Sequence, residues 1–109
     1  MPAANLLPVA GNQVSDFYLA CRNGDINAVK RMLCDKKRVN INRMEPNGST
    51  ALHAASYFGQ ADIVELLLKE KDIILSQKNI YGFTAYQETT NDKIRQIFDR
   101  FNREHLWDQ

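Results

Sequence analysis

"NGSTALHAASYFGQADIVELLL", Asn47 to Leu68, is the stretch on which the fold turns. Thr50 offers a side-chain oxygen to cap a helix, and the small residues Ala51, Ala54 and Ala55 let a second helix approach closely. The short first helix stops at Gly59, where the chain reverses. The second helix then places Ile63, Val64, Leu67 and Leu68 on one stripe, and Asp62 in its first turn suits the helix dipole.

The same instructions recur along the chain. Gly48, Thr50 and Ala51 reappear as Gly82, Thr84 and Ala85, 34 positions later. Upstream, "FYLACRNGDINAVKRML" aligns with "LHAASYFGQADIVELLL" when Gly24 is set on Gly59, 35 positions apart. Ser15 then takes the place of Thr50, and Val29, Met32 and Leu33 rebuild the apolar stripe. Between units run "RVNINRMEPNG" and "IILSQKNIYG", in which Ile41 and Leu75 each lie seven residues before the next glycine. Each unit therefore reads as helix, turn, helix and projecting hairpin, the mark of a repeat architecture.

The central unit resembles the ankyrin repeat. That pattern opens Gly-x-Thr-Pro-Leu-His-x-Ala-Ala, reaches a glycine and closes with Ile-Val and a leucine run. "GSTALHAASYFGQADIVELLL" follows it, with Ala51 where proline is usual, and the resemblance extends from about Ser15 to Phe101. It implies an all-α solenoid of three stacked helix-turn-helix units with short β-hairpin loops. The expected organisation is a flexible leader at 1–13, a repeat domain at 14–103 with units at 14–46, 47–78 and 79–103, and a tail at 104–109. Against a period of about 33 residues, the extra residues around "CDKKRVN" and "KEKDI" fall in turns, where length is cheaply tolerated. The end units depart from the pattern. In the first, an N-terminal cap, Phe17 and Tyr18 replace the Leu-His pair. In the third, Tyr86 stands in the place of Leu52, and the second helix, with its stripe of Ile94, Ile97, Phe98 and Phe101, starts directly after "TTND".

Composition narrows the function classes. A chain of 109 residues with a net charge of +1 has no large field to attract nucleic acid or an anionic membrane. The two cysteines, Cys21 and Cys34, are too few for a disulfide framework and read as free thiols in a cytoplasmic protein. The apolar piece "LLPVA" is broken by Pro8 and is too short to span a bilayer. The basic run "DKKR", Asp35 to Arg38, reads as a solvated turn.

His53 is the one residue that suggests chemistry. The other histidine, His105, lies beyond the last unit, and no Cys/His cluster has metal-ligand spacing. By the resemblance, a histidine here is structural, hydrogen-bonding backbone or the capping Thr of a neighbouring unit. Ser15, Asp16 and Ser49 at helix starts are caps before they are nucleophiles, and nothing resembles a glycine-rich phosphate cradle. The expectation is a non-catalytic chain with no cofactor and no metal.

The resemblance also implies a partner surface. Such proteins bind other proteins through hairpin tips and the exposed side of the first helices. The matching positions are Pro46, Asn47, Ser49, Ser56 and Tyr57 in the second unit, Ile80, Tyr81 and Phe83 in the third, and Arg22 in the first. Tyr57, Tyr81, Phe83 and Arg22 are of the types that dominate interface energies. The competing expectation is that Tyr81 and Phe83 pack on the neighbouring unit instead. The chain thus reads as a monomeric module that binds another protein, or as a regulatory or targeting segment of a larger enzyme or multidomain protein.

Overall fold

The chain is described by a computed structural model at residues 13–35 and 39–104. Most of the leader, Lys36 to Arg38 of the basic run, and the tail with His105 and Trp107 lie outside the described residues.

Among the described residues six helices follow one another: α1 Asp16–Asn23, α2 Ile26–Cys34, α3 Ala51–Tyr57, α4 Ala61–Leu68, α5 Ala85–Glu88 and α6 Asp92–Glu104. Local chemistry sets their starts. Ser15, Thr50 and Thr84 are extended N-caps whose side-chain oxygens accept from Tyr18, His53 and Gln87 N–H, so each relieves one orphan donor of the first turn. Asp25 does the same for α2 through Ala28 N–H. Helix α1 ends on the left-handed Gly24, whose N–H returns to the Ala20 carbonyl.

The helices form two layers, with α3 between α1 and α5 in one and α4 between α2 and α6 in the other. One apolar core fills the space between them. Ile63, Val64, Leu67 and Leu68 of α4 are buried, as are Val29 and Leu33 of α2 and Ile94, Ile97 and Phe98 of α6. Fully burying a leucine such as Leu67 stabilises the fold by roughly 2–3 kcal/mol, so these stripes hold the layers together. Ala54 and Ala55 have no exposed surface, because the helices of the first layer meet there.

The third pair is cut short as the sequence predicts. Helix α5 is a single turn, closed by a reciprocal box in which Thr84 N–H also donates to Gln87 Oε1. The outer side of α6 is polar, with Gln96, Asp99, Arg100 and Asn102 exposed, and Arg100 reaches Glu65 of α4 at 2.6 Å.

The hairpins need a correction. Among the described residues there is no β-strand, and each projection is a tight turn alone. Glu45 N–H donates to the Ser49 carbonyl and Gly48 N–H to the Glu45 carbonyl, both at 2.8 Å. Asn79 and Phe83 (2.9 Å), and Gly82 and Asn79 (3.0 Å), repeat the turn. The tips are too short for a ladder to extend beyond the turn.

Candidate functional site: the turn tips and the first-helix layer

The tips are fixed to the layer beneath them by buried polar groups. Glu45 is 4% exposed, and its two carboxylate oxygens accept from the N–H and the hydroxyl of Ser15, each at 2.8 Å. The N-cap of α1 is thereby tied to the first tip. Asn47 uses both ends of its amide: Oδ1 accepts from Ser49 N–H at 3.2 Å, and Nδ2 donates to the Tyr18 hydroxyl at 3.0 Å.

His53 makes the matching tie one pair further on. Its ring is buried, with Nδ1 2.7 Å from Thr50 Oγ1 and Nε2 2.8 Å from the Phe83 carbonyl. A carbonyl only accepts, so Nε2 carries the proton. Burial lowers the His53 pKa below its ordinary value, outweighing the opposite pull of the Phe83 carbonyl and Glu88. The ring is therefore neutral near pH 7, and Nδ1 accepts from the Thr50 hydroxyl, which itself accepts from His53 N–H. His53 thus fixes its own helix cap and the next tip at once. The threonine it bonds belongs to its own unit, whereas the sequence reading allowed that of a neighbour.

Placed on this frame, the nine candidate partner-binding residues divide. Tyr57, Ile80, Tyr81 and Phe83 are exposed at 44%, 64%, 44% and 48%, and Pro46 of the first tip is exposed as well. Arg22 and Asn47 are half-buried. Ser49 and Ser56 require correction, since both have no exposed surface and cannot touch a partner. Ser49 lies under the first tip, where its backbone closes the turn. Ser56 is on the side of α3 that packs inward, one position before the exposed Tyr57.

Four exposed hydrophobic residues were not anticipated, one of them, Ile74, 49% exposed in the loop after α4. Phe58 is 42% exposed and meets Tyr57 edge to face, ring centroids 5.1 Å apart. Met44 precedes the first tip at 40%, and Tyr86 of α5 is 38% exposed while resting edge-on against Phe98. Phe58 was legible from its place just before Gly59. Tyr86 was not, because it replaces a leucine that is buried in the central unit.

Among the described residues this arrangement brings no catalytic constellation together. Cys21 is buried and its thiol is pushed up to about 12, by desolvation first and then by the Glu45 charge, so it is no nucleophile at neutral pH. Cys34 is exposed and free. Among the described residues, no group of three or more His, Cys, Asp and Glu side chains could hold a metal ion, and no helix is long and apolar enough to cross a membrane.

Comparison with known proteins agrees with this geometry. A family model described as ankyrin repeats in three copies matches residues 12–88. The chain is 38% identical over 58 residues to inversin of Danio rerio, covering 53% of this chain and 6% of that protein. It is 27% identical over 82 residues to an ankyrin repeat and SAM domain-containing protein of Rattus norvegicus, covering 75% and 9%. It therefore spans under a tenth of the length of these relatives. Among solved structures, one chain in the complex of a predatory endopeptidase from Bdellovibrio bacteriovorus with an immunity protein is similar at 30% identity. The TM-score is 0.69, over 82% of this chain and 47% of that one.

Proposed function

The chain belongs to the ankyrin-repeat family, and from that premise we propose that it is a monomeric, non-catalytic module that binds another protein through its turn tips and first-helix layer. The observation that carries this reading is the uneven distribution of exposed apolar side chains. Among the described residues, Met44, Tyr57, Phe58, Ile80, Tyr81, Phe83 and Tyr86 lie in or next to the tips, α3 and α5, and Ile74 alone lies elsewhere, in the loop after α4, while α1 and α2 expose no large hydrophobic side chain. Hydrogen bonds from Glu45, Asn47 and His53 hold the backbone beneath them, so little ordering entropy is lost on binding. Aromatic anchors on a rigid support are the usual source of interface energy. The similar solved chain comes from a complex of an endopeptidase with an immunity protein, so an enzyme is one kind of partner that such a module would hold.

Affinity capture from the native cell, with a Tyr57→Ala/Tyr81→Ala double variant as control, tests the proposal. Partners held by the wild-type chain and lost by an equally stable double variant are expected. Partners kept in full by the variant would overturn the assignment of the face.

A second reading makes the same module a regulatory or targeting segment of a larger enzyme or multidomain protein. The small share of each relative that the chain spans favours it. An immunoblot of native cells showing only a 12.5 kDa species would remove it.

A further inference from the structure

The two tips make the same turn, yet they differ on the side that faces away from α1. The side chain of Ile80 fills the space above Gly48 that a Cβ would occupy. Ile80 N–H also donates to the Gly48 carbonyl at 3.0 Å. Gly82 has the same left-handed backbone, with φ 82° at both positions. Apart from Gly82 itself and its two chain neighbours, no heavy atom of the described residues lies within 4 Å of its Cβ position, and among those residues its carbonyl accepts no backbone hydrogen bond. Exposed Tyr81 and Phe83 flank it in the chain.

We propose that Gly82 is the floor of a docking socket for an extended or tightly turned segment of another protein that carries a β-branched aliphatic residue. That side chain seats over Gly82, and its backbone N–H donates to the Gly82 carbonyl. Continuity with the contact between the two tips identifies the occupant, because the molecule already shows at Gly48 which group fits such a seat. Glycine is required on the floor since any side chain would fill it. The socket differs from the His53 tie beneath the tips. Gln87, which stands where His53 stands one unit earlier, folds its amide back onto its own cap at 2.9 Å. No ring waits there to grip a following carbonyl, so the occupant binds by the tip alone. Main-chain pairing supplies the attraction and the covered glycine the selectivity.

The proposal rests on the protein-binding reading and names the chemistry of the partner. Its test is an NMR titration of the 15N-labelled chain with a head-to-tail cyclic peptide of the sequence Lys78 to Thr84, KNIYGFT, the segment that fills the first seat. Saturable shifts at the Tyr81, Gly82 and Phe83 amides are expected, with a dissociation constant on the order of 1 mM or tighter. The peptide with the Ile80→Gly change, and the protein with Gly82→Asn, should each bind at least about tenfold more weakly, a loss of about 1.4 kcal/mol. Asparagine tolerates the left-handed backbone, so an unchanged melting temperature shows that this variant still folds. No response at Gly82 up to the solubility limit, shifts centred on Tyr57 and Phe58, or equal binding to Gly82→Asn would overturn the proposal. Concentration-dependent shifts at Gly82 without peptide would also overturn it, by placing a second copy in the socket. Capture through Tyr57 can succeed when this titration fails, so the two readings stand or fall separately.

Discussion

At the scale of single residues, His53 and Ser56 show how little position alone reveals of role. They are three apart on α3 and both are buried, but the His53 ring is bonded at both nitrogens, whereas Ser56 Oγ has no partner among the described residues. A lowered folded-state pKa for His53 means that the unfolded chain binds the proton first. Its contribution is complete above the ordinary value of 6.5 and is lost as pH falls toward the lowered folded value. Urea unfolding between pH 7.5 and pH 4.5 should show that decline, and His53→Gln should flatten it while lowering stability at neutral pH. Ser56→Ala should act in the opposite sense, because it removes a buried hydroxyl that bonds nothing. A gain of about 1 kcal/mol in unfolding free energy is expected. The repeat pattern made the role of His53 legible. The burial of Ser49 and Ser56 was not, because a serine flanked by variable positions carries no signal of which way it points.

At the scale of elements, the stack is held by polar ties as well as by the apolar stripes. Gln60 Nε2 donates to the Arg22 carbonyl at 2.9 Å, which joins the turn after α3 to the last turn of α1. Asn42 donates to the Asp72 carbonyl at 2.7 Å and accepts from Ile74 N–H at 2.9 Å, which joins the loops after α2 and α4. Tyr18 and Asn47 make in the first pair the tie that His53 and Phe83 make in the second. The substitution of Tyr18 for histidine therefore keeps a bond across units through a different side chain. The tips supply a comparison of near-identical turns. Gly82→Ala should cost about 1–2 kcal/mol, the penalty of a left-handed alanine. Gly48→Ala should cost about 1 kcal/mol more, since its methyl displaces Ile80. Thermal unfolding of both variants, repeated in an Ile80→Ala background, checks this, and in that background the difference should vanish.

At the scale of the whole molecule, stability and recognition are divided between the helix layers. Leu67→Ala, at the centre of the core, should cost about 2–5 kcal/mol. Tyr57→Ala, on an exposed ring whose edge contact is Phe58, should cost under about 1.5 kcal/mol. Calorimetry of the two variants decides whether Tyr57 is free to serve a partner, and equal losses would make it a core residue. The repeat, the helix pairs, the caps at Ser15, Thr50 and Thr84 and the shortened third unit are legible in the order of amino acids, because each depends on residues a few positions apart. It takes the folded chain to reveal that Glu45 anchors Ser15, that Tyr18 stands in for histidine, that Ser49 and Ser56 are covered, and that among the described residues Gly48 is filled while Gly82 is open. Those facts depend on which side chains of neighbouring units meet across about thirty residues of chain, and periodicity does not encode that meeting.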